Sequence, residues 1–85
     1  MRIEFHPKFR RKFKRIPSDV QQHLKTKINF FIADPSDPRL HVHALHGKFD
    51  GYMAFSVTYK IRIIFKFTND GGVWFYDIGD HDIYD

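Results

Sequence analysis

The chain has no cysteine. No disulfide can staple it and no thiolate can hold a metal, which fits a reducing compartment. No apolar run approaches the roughly 20 residues of a membrane span, and the N-terminal residues lack the apolar stretch of a secretory signal. A cytoplasmic protein without a membrane partner is therefore expected. Internal repeats, low-complexity tracts and linkers are absent as well. The 85 residues are expected to form one domain, residues 1–85, since domains run from roughly 50 to 250 residues. Acidic residues are scarce at one end. Only Glu4 and Asp19 fall within residues 1–27, against nine of the fourteen Lys and Arg. A basic half on a small domain points to a polyanionic partner.

Aromatic residues supply the bulk for a core, with ten Phe, four Tyr and one Trp. Residues 2–5 read as a short strand. Pro7 suits the first turn of a helix, where its missing N–H is not needed. Phe9, Phe13 and Ile16 then share one stripe at helical spacing, so the first helix is expected over 7–16 with a basic outer face. Pro17-Ser18 breaks it, and Ser18 with Gln21 forms a capping-box pattern. Val20, Leu24, Ile28 and Phe31 define the buried stripe of a second helix over 18–33, ended by Asp34-Pro35. Residues 39–51 read as an irregular or short extended segment. Three strands follow, at about 52–58, 61–68 and 73–79.

Asn69-Asp70-Gly71-Gly72 is a hairpin signal, because these residues tolerate positive φ. A turn centred between Asp70 and Gly71 would pair Phe67 with Trp74, Phe65 with Tyr76 and Ile63 with Ile78 on the core face. Arg62, Ile64, Lys66, Phe75 and Asp77 would then occupy the other face, with Arg62 opposite Gly79. A three-residue loop before it would align Phe55 with Ile63. The order of elements implies an α+β fold, with the N-terminal strand and two helices on one face of an antiparallel sheet.

His81 follows the last strand almost at the end of the sequence, where packing is a poor explanation for it. Imidazole exchanges protons most readily near neutral pH. Arg62 lies inside an otherwise apolar strand, and the register carries it toward His81. Together they suit phosphodiester cleavage without metal. A 2′-hydroxyl attacks the adjacent phosphorus, a base takes its proton and an acid protonates the leaving 5′-oxygen. His81 suits the acid, Arg62 the phosphate clamp and His43 the base. His41, His43 and His46 have poor zinc spacing and no carboxylate partner, so no metal and no cofactor is expected. His41 and His46 read as surface residues. Candidate RNA contacts are Lys8, Arg10, Arg11, Lys12, Lys14 and Arg15 on the first helix, with Lys48, Lys60 and Lys66 further on.

Several segments in order carry a resemblance to the RelE/ParE toxin superfamily, and within it to the YafQ-like branch. They are Pro7 to Phe13, Asp34-Pro35, Leu40 to Phe49, Phe55 to Phe65, and Ile78-Gly79-Asp80-His81 with Tyr84. The resemblance implies a RelE-like, microbial-ribonuclease-like fold. It implies an endoribonuclease acting on mRNA in the ribosomal A site and silenced by a cognate antitoxin. His81 matches the C-terminal catalytic histidine of the branch, His43 a histidine of its Leu-x-x-His-x-Leu segment, and Arg62 the strand arginine. Tyr84 falls near an aromatic that stacks on a base or assists proton transfer. At Ser56 and Lys60 the branch often has histidine and aspartate. Alternatives are a ParE-like inhibitor of a protein target such as gyrase, or a toxin homologue without activity.

Overall fold

The computed structural model describes residues 1–80. Two site residues expected from the sequence, His81 and Tyr84, lie outside the described residues. β1 (Ile3–Phe5) is followed by α1 (Pro7–Lys14) and α2 (Ser18–Ala33). A 3₁₀ turn at Pro38–Leu40, β2 (His43–Ala44) and a second 3₁₀ turn at Gly47–Phe49 occupy the irregular segment. β3 (Met53–Ser56), β4 (Arg62–Phe67) and β5 (Val73–Gly79) are the remaining elements of the described residues. No helix among the described residues is long and apolar enough to cross a membrane.

The helices form for the reasons their spacing suggests. His6 caps α1, its Nδ1 accepting the Lys8 backbone N–H at 3.0 Å, and Pro7 fills the first position. Phe9 is buried and Phe13 and Ile16 pack beside it. In α2, Leu24 and Phe31 are fully buried. The Phe31 ring meets those of Phe55, Phe65 and Phe75 at 5.0, 4.9 and 5.8 Å. Burying one such ring removes enough apolar surface to contribute about 1.5–3 kcal/mol. The capping box at Ser18 does not form, because Pro17 is the cap residue and makes no side-chain bond. The Gln21 amide instead donates to Phe13 O and Ile16 O, both at 3.0 Å. Phe13 O also accepts the Ile16 N–H at 3.1 Å, and Ile16 lies just past the end of α1, so Gln21 ties the two helices together.

The five strands run in the order β1-β5-β4-β3-β2. β1 pairs parallel to β5 and the other pairs are antiparallel, so the sheet is mixed rather than wholly antiparallel. Two helices between β1 and the rest of the sheet give the chain the long connection that a parallel pair needs. Phe55 aligns with Ile63, and Arg62 with Gly79, as expected.

Near the hairpin turn the register differs from expectation by one residue. Phe67 pairs with Val73, Lys66 with Trp74 and Phe65 with Phe75. The loop is odd-numbered and centred on Asp70. Its Oδ1 accepts from the Thr68 hydroxyl at 2.6 Å and the Gly72 N–H at 3.3 Å, and its other oxygen holds Arg2. A β-carbon at Gly72 would lie 3.0 Å from both Arg2 O and Thr68 Oγ1, so this loop is built around glycine. A bulge then adds Tyr76 as an extra residue between the pairs Phe65–Phe75 and Ile64–Asp77, which restores the expected register beyond it. Phe75 is therefore in the core, while Trp74 and Tyr76 are partly exposed and outside the core cluster. Phe67 is 46% exposed, because it sits on the last pair before the turn.

Asp77 is the one buried charged residue among the described residues. Lys12 Nζ lies 2.7 Å and Lys8 Nζ 3.3 Å from its carboxylate, which also accepts the Ile78 N–H at 2.8 Å. An uncompensated buried carboxylate is costly, so two residues of the α1 face are committed to neutralising it. The lysine side chains are each 39% exposed and can turn to water if the carboxylate is removed. The double variant Lys8→Met, Lys12→Met is expected to lose about 3–5 kcal/mol, and Asp77→Asn clearly less. Urea unfolding of both variants at neutral pH checks this order. A larger loss in Asp77→Asn would overturn the view that the two lysines are there chiefly to neutralise the buried carboxylate.

Candidate active site

Arg62, Ser56 and Gly79 form one rung across β3, β4 and β5. The turn before Arg62 is held by Thr58, whose hydroxyl accepts from the N–H groups of Lys60 and Ile61 at 3.2 and 3.1 Å. Val57 N–H donates to Ile61 O at 2.9 Å and closes the loop. Arg62 folds back on this turn, with Nη1 donating to Thr58 O at 2.9 Å. Two further guanidinium nitrogens have donors left for an anion. A cross-strand ion pair of Arg62 with Asp77 does not occur, since Asp77 is taken by Lys8 and Lys12.

His43 comes from β2, opposite Ala54. Its Nδ1 lies 3.1 Å from His41 O. A carbonyl oxygen only accepts, so Nδ1 carries the proton in the neutral ring and Nε2 is left as the basic nitrogen. His41 ends the 3₁₀ turn in the left-handed region, at φ 52°. That conformation is uncommon for a residue with a side chain, and here it turns the chain from the 3₁₀ turn into β2.

Arg62 and His43 line the same cleft of about 460 Å³, together with Ser56, His41, Tyr59, Lys27 and Arg39. Among the described residues no acidic one lines it. Sequence reasoning missed Lys27, Arg39 and Tyr59 and read His41 as plain surface. Arg39 is fixed from two sides. It donates to Asp37 at 2.7 Å, and its guanidinium carbon sits 3.7 Å from the Phe30 ring centroid. Lys27 Nζ lies 3.4 Å from Arg39 O. Only the local pair was legible, as an acid two residues before a base around Pro38. That α2 brings Lys27 alongside is a tertiary fact.

The other candidate cations do not share this cleft. Lys8 and Lys12 serve Asp77, and Arg10 lies 5.5 Å from the Phe5 ring. Among the described residues no ion pair holds Arg11, Lys14 or Arg15. Lys60 lines a separate groove with Ile61 and Gly79. Lys48 and Lys66 stand over aromatic rings, at 5.5 and 5.3 Å from Phe49 and Tyr52. Among the described residues no three His, Cys, Asp or Glu come close enough to hold a metal ion.

No protein-family model matches the sequence, and no curated protein matches it. Solved structures do share the fold. YafQ from E. coli has a TM-score of 0.80 at 22% identity, over 98% of this chain and 97% of that one. A YoeB/ParE toxin from Agrobacterium tumefaciens has 0.80 at 14% identity, over 95% and 99%. The archaeal RelE–RelB complex from Pyrococcus horikoshii has 0.75 at 13% identity, over 93% and 92%. The fold is therefore the RelE-like α+β fold, and YafQ is among the structures that share it.

The Asp37 carboxyl is held down to about 2 from an ordinary 3.8, chiefly by the hydrogen bond from the Arg39 side chain. Asp70 is likewise lowered to about 2, by the Thr68 hydroxyl first and Arg2 next. The unfolded chain takes up these protons at higher pH than the folded one. Stability from both groups is complete above pH 3.8 and is lost as pH falls from there toward 2. The Asp37→Asn, Asp70→Asn double variant should therefore show a shallower loss of thermal stability across that window. Melting temperatures measured from pH 5 down to pH 2 check it, and identical slopes would refute the assignment.

Proposed function

We propose that this chain is the toxin of a type II toxin–antitoxin pair, a single-domain cytoplasmic endoribonuclease that cleaves mRNA in the ribosomal A site. The observation that carries the reading is that Arg62 and His43 share a cleft lined by Lys27 and Arg39 and, among the described residues, by no acid. Arg62 grips the scissile phosphate through its remaining N–H groups. His43 Nε2 takes the proton of the attacking 2′-hydroxyl, its ring oriented by the bond to His41 O. The 2′-oxygen bonds to phosphorus as the bond to the 5′-oxygen breaks, and His81 supplies the proton to that leaving oxygen. Lys27 and Arg39 neutralise flanking phosphates, and Tyr84 stacks on a neighbouring base. Fixed cations aimed at developing phosphoryl charge need no reorganisation during reaction, which is what makes them effective.

Arg10, Arg11, Lys14 and Arg15 are the α1 residues we assign to ribosomal RNA. A partner follows from the same reading. The RelE structure from Pyrococcus is a complex with RelB, and a free cationic nuclease would harm its own cell. An acidic antitoxin segment that folds on binding would screen the cleft.

Primer extension on mRNA after pulse expression tests this function. New 5′ ends within codons are expected from the native chain, with growth arrest. Arg62→Gln, His43→Gln and His81→Ala should each lower cleavage by about 10²–10⁴-fold with unchanged folding. Growth arrest without RNA ends, accompanied by gyrase inhibition, would replace this reading with that of a ParE-like inhibitor of a protein target. Full cleavage by His81→Ala would remove the proposed acid.

A further inference from the structure

The second face of the sheet carries groups that the cleft does not use. Trp74 and Tyr76 of β5 lie 5.4 Å apart, centroid to centroid. Tyr52, just ahead of β3, lies 6.3 Å from Trp74 and 5.5 Å from Tyr76. Phe49 reaches Tyr76 at 6.3 Å, although its own segment joins β2 to β3. That connection therefore folds across β3 and β4. All four rings are partly exposed. Each of Phe49, Tyr52 and Tyr76 has a lysine beside it. Lys66 stands 5.3 Å from Tyr52, Lys48 5.5 Å from Phe49 and Lys8 5.3 Å from Tyr76. Lys66 is also the cross-strand partner of Trp74.

Two acidic groups near this face are already engaged. Glu4, cross-strand from Trp74, is paired with Arg2 at 3.1 Å. Asp77 is buried against Lys8 and Lys12. The face therefore offers aromatic planes with the exposed ammonium of Lys66 at their edge, Lys8 being committed to Asp77. A ligand that satisfies both must bring flat π-faces and negative charge at short, regular spacing.

We propose that this face is a stacking platform for single-stranded RNA, separate from the cleft and linked to it along β4. Lys66 is four residues from Arg62 on that strand, about 13 Å at the usual rise. A strand of a few nucleotides can stack bases on Trp74 and Tyr52 and carry its backbone past Lys66 toward Arg62. Stacking is tolerant of sequence because every base has a π-face. An acidic peptide would meet the lysines but not the rings. The direction of the strand rests on the ribonuclease reading of the cleft, whereas the stacking itself does not.

Trp74 is the only tryptophan in the chain, so its fluorescence reports on the platform directly. The full chain is titrated with a fully 2′-O-methylated RNA octamer, which cannot be cleaved by 2′-hydroxyl attack, and with poly-glutamate of equal charge. Anisotropy of a labelled octamer measures binding at any site. The octamer should quench Trp74 and poly-glutamate should not. Tyr52→Ala should weaken binding on the order of ten-fold. Lys66→Gln, an exposed substitution, should reduce the salt slope by about 0.7. Arg62→Gln should weaken binding yet leave the quenching at saturation. Binding by anisotropy with unchanged Trp74 fluorescence, and native affinity in Lys66→Gln, would overturn the platform while leaving the cleft reading intact. Equal quenching by poly-glutamate would make the face a site for an acidic protein segment and overturn stacking. No octamer binding in either readout, with no mRNA cleavage in cells, would sink the cleft reading as well.

Discussion

One extra residue in β5 governs which side chains the sheet buries. The bulge at Tyr76 allows Phe75 and Ile78 to face the helices although they are three positions apart. Strict alternation would have turned one of them away. Phe75 then joins Phe31, Phe55 and Phe65 in the centre of the core. The same bulge leaves Trp74 and Tyr76 on the second face and puts Asp77 within reach of α1. The core, the aromatic face and the buried charge are thus three consequences of one local irregularity, which the odd loop around Asp70 makes necessary.

The basic surface divides according to work done. Lys8 and Lys12 are four residues apart on α1, one helical turn, and both reach the Asp77 carboxylate. They fasten the helix to the end of β5, where β1 no longer pairs. Around the cleft the pattern is the reverse. Arg62, Arg39 and Lys27 line a site with no carboxylate among the described lining residues, Arg39 pairing with Asp37 behind it. Their positions are held by a carbonyl oxygen, by Asp37 outside the cleft wall and by the Phe30 ring. Like charges held close to one another repel, and an anion in the cleft relieves that repulsion. Donors fixed before the ligand arrives lose little freedom on binding it.

His41 and His43 show how backbone can orient an imidazole ring. His41 takes a left-handed conformation that a residue with a side chain adopts at some cost. The turn sends the next residues into β2 and offers the His41 carbonyl to His43 Nδ1. The ring of His43 is thereby both oriented and set to the tautomer that leaves Nε2 basic. Two histidines separated by Val42 thus have different places, one as a corner of the backbone and one as an oriented ring on the cleft wall.

The sequence by itself determined both helices, the hairpin, the Phe55–Ile63 alignment and the pairing of Arg62 with Gly79. These follow from signals that act over a few residues. Pro17 and Asp34-Pro35 stop helices, a 3.6-residue stripe makes one face apolar, and Asn69 to Gly72 turn the chain. His43 and Arg62, which line one cleft, stood out locally as polar groups in an apolar pattern. Only the tertiary structure decided the parity of the hairpin loop, since an even and an odd turn fit the same four residues. The odd turn is held by Asp70, whose carboxylate takes the Thr68 hydroxyl, the Gly72 N–H and, from the far end of the chain, Arg2. Likewise, no local pattern joins Lys8 and Lys12 to Asp77, or Lys27, Arg39 and Tyr59 to one cleft. Burying a charge demands a partner from wherever the fold can supply it, and that demand is settled by packing rather than by period.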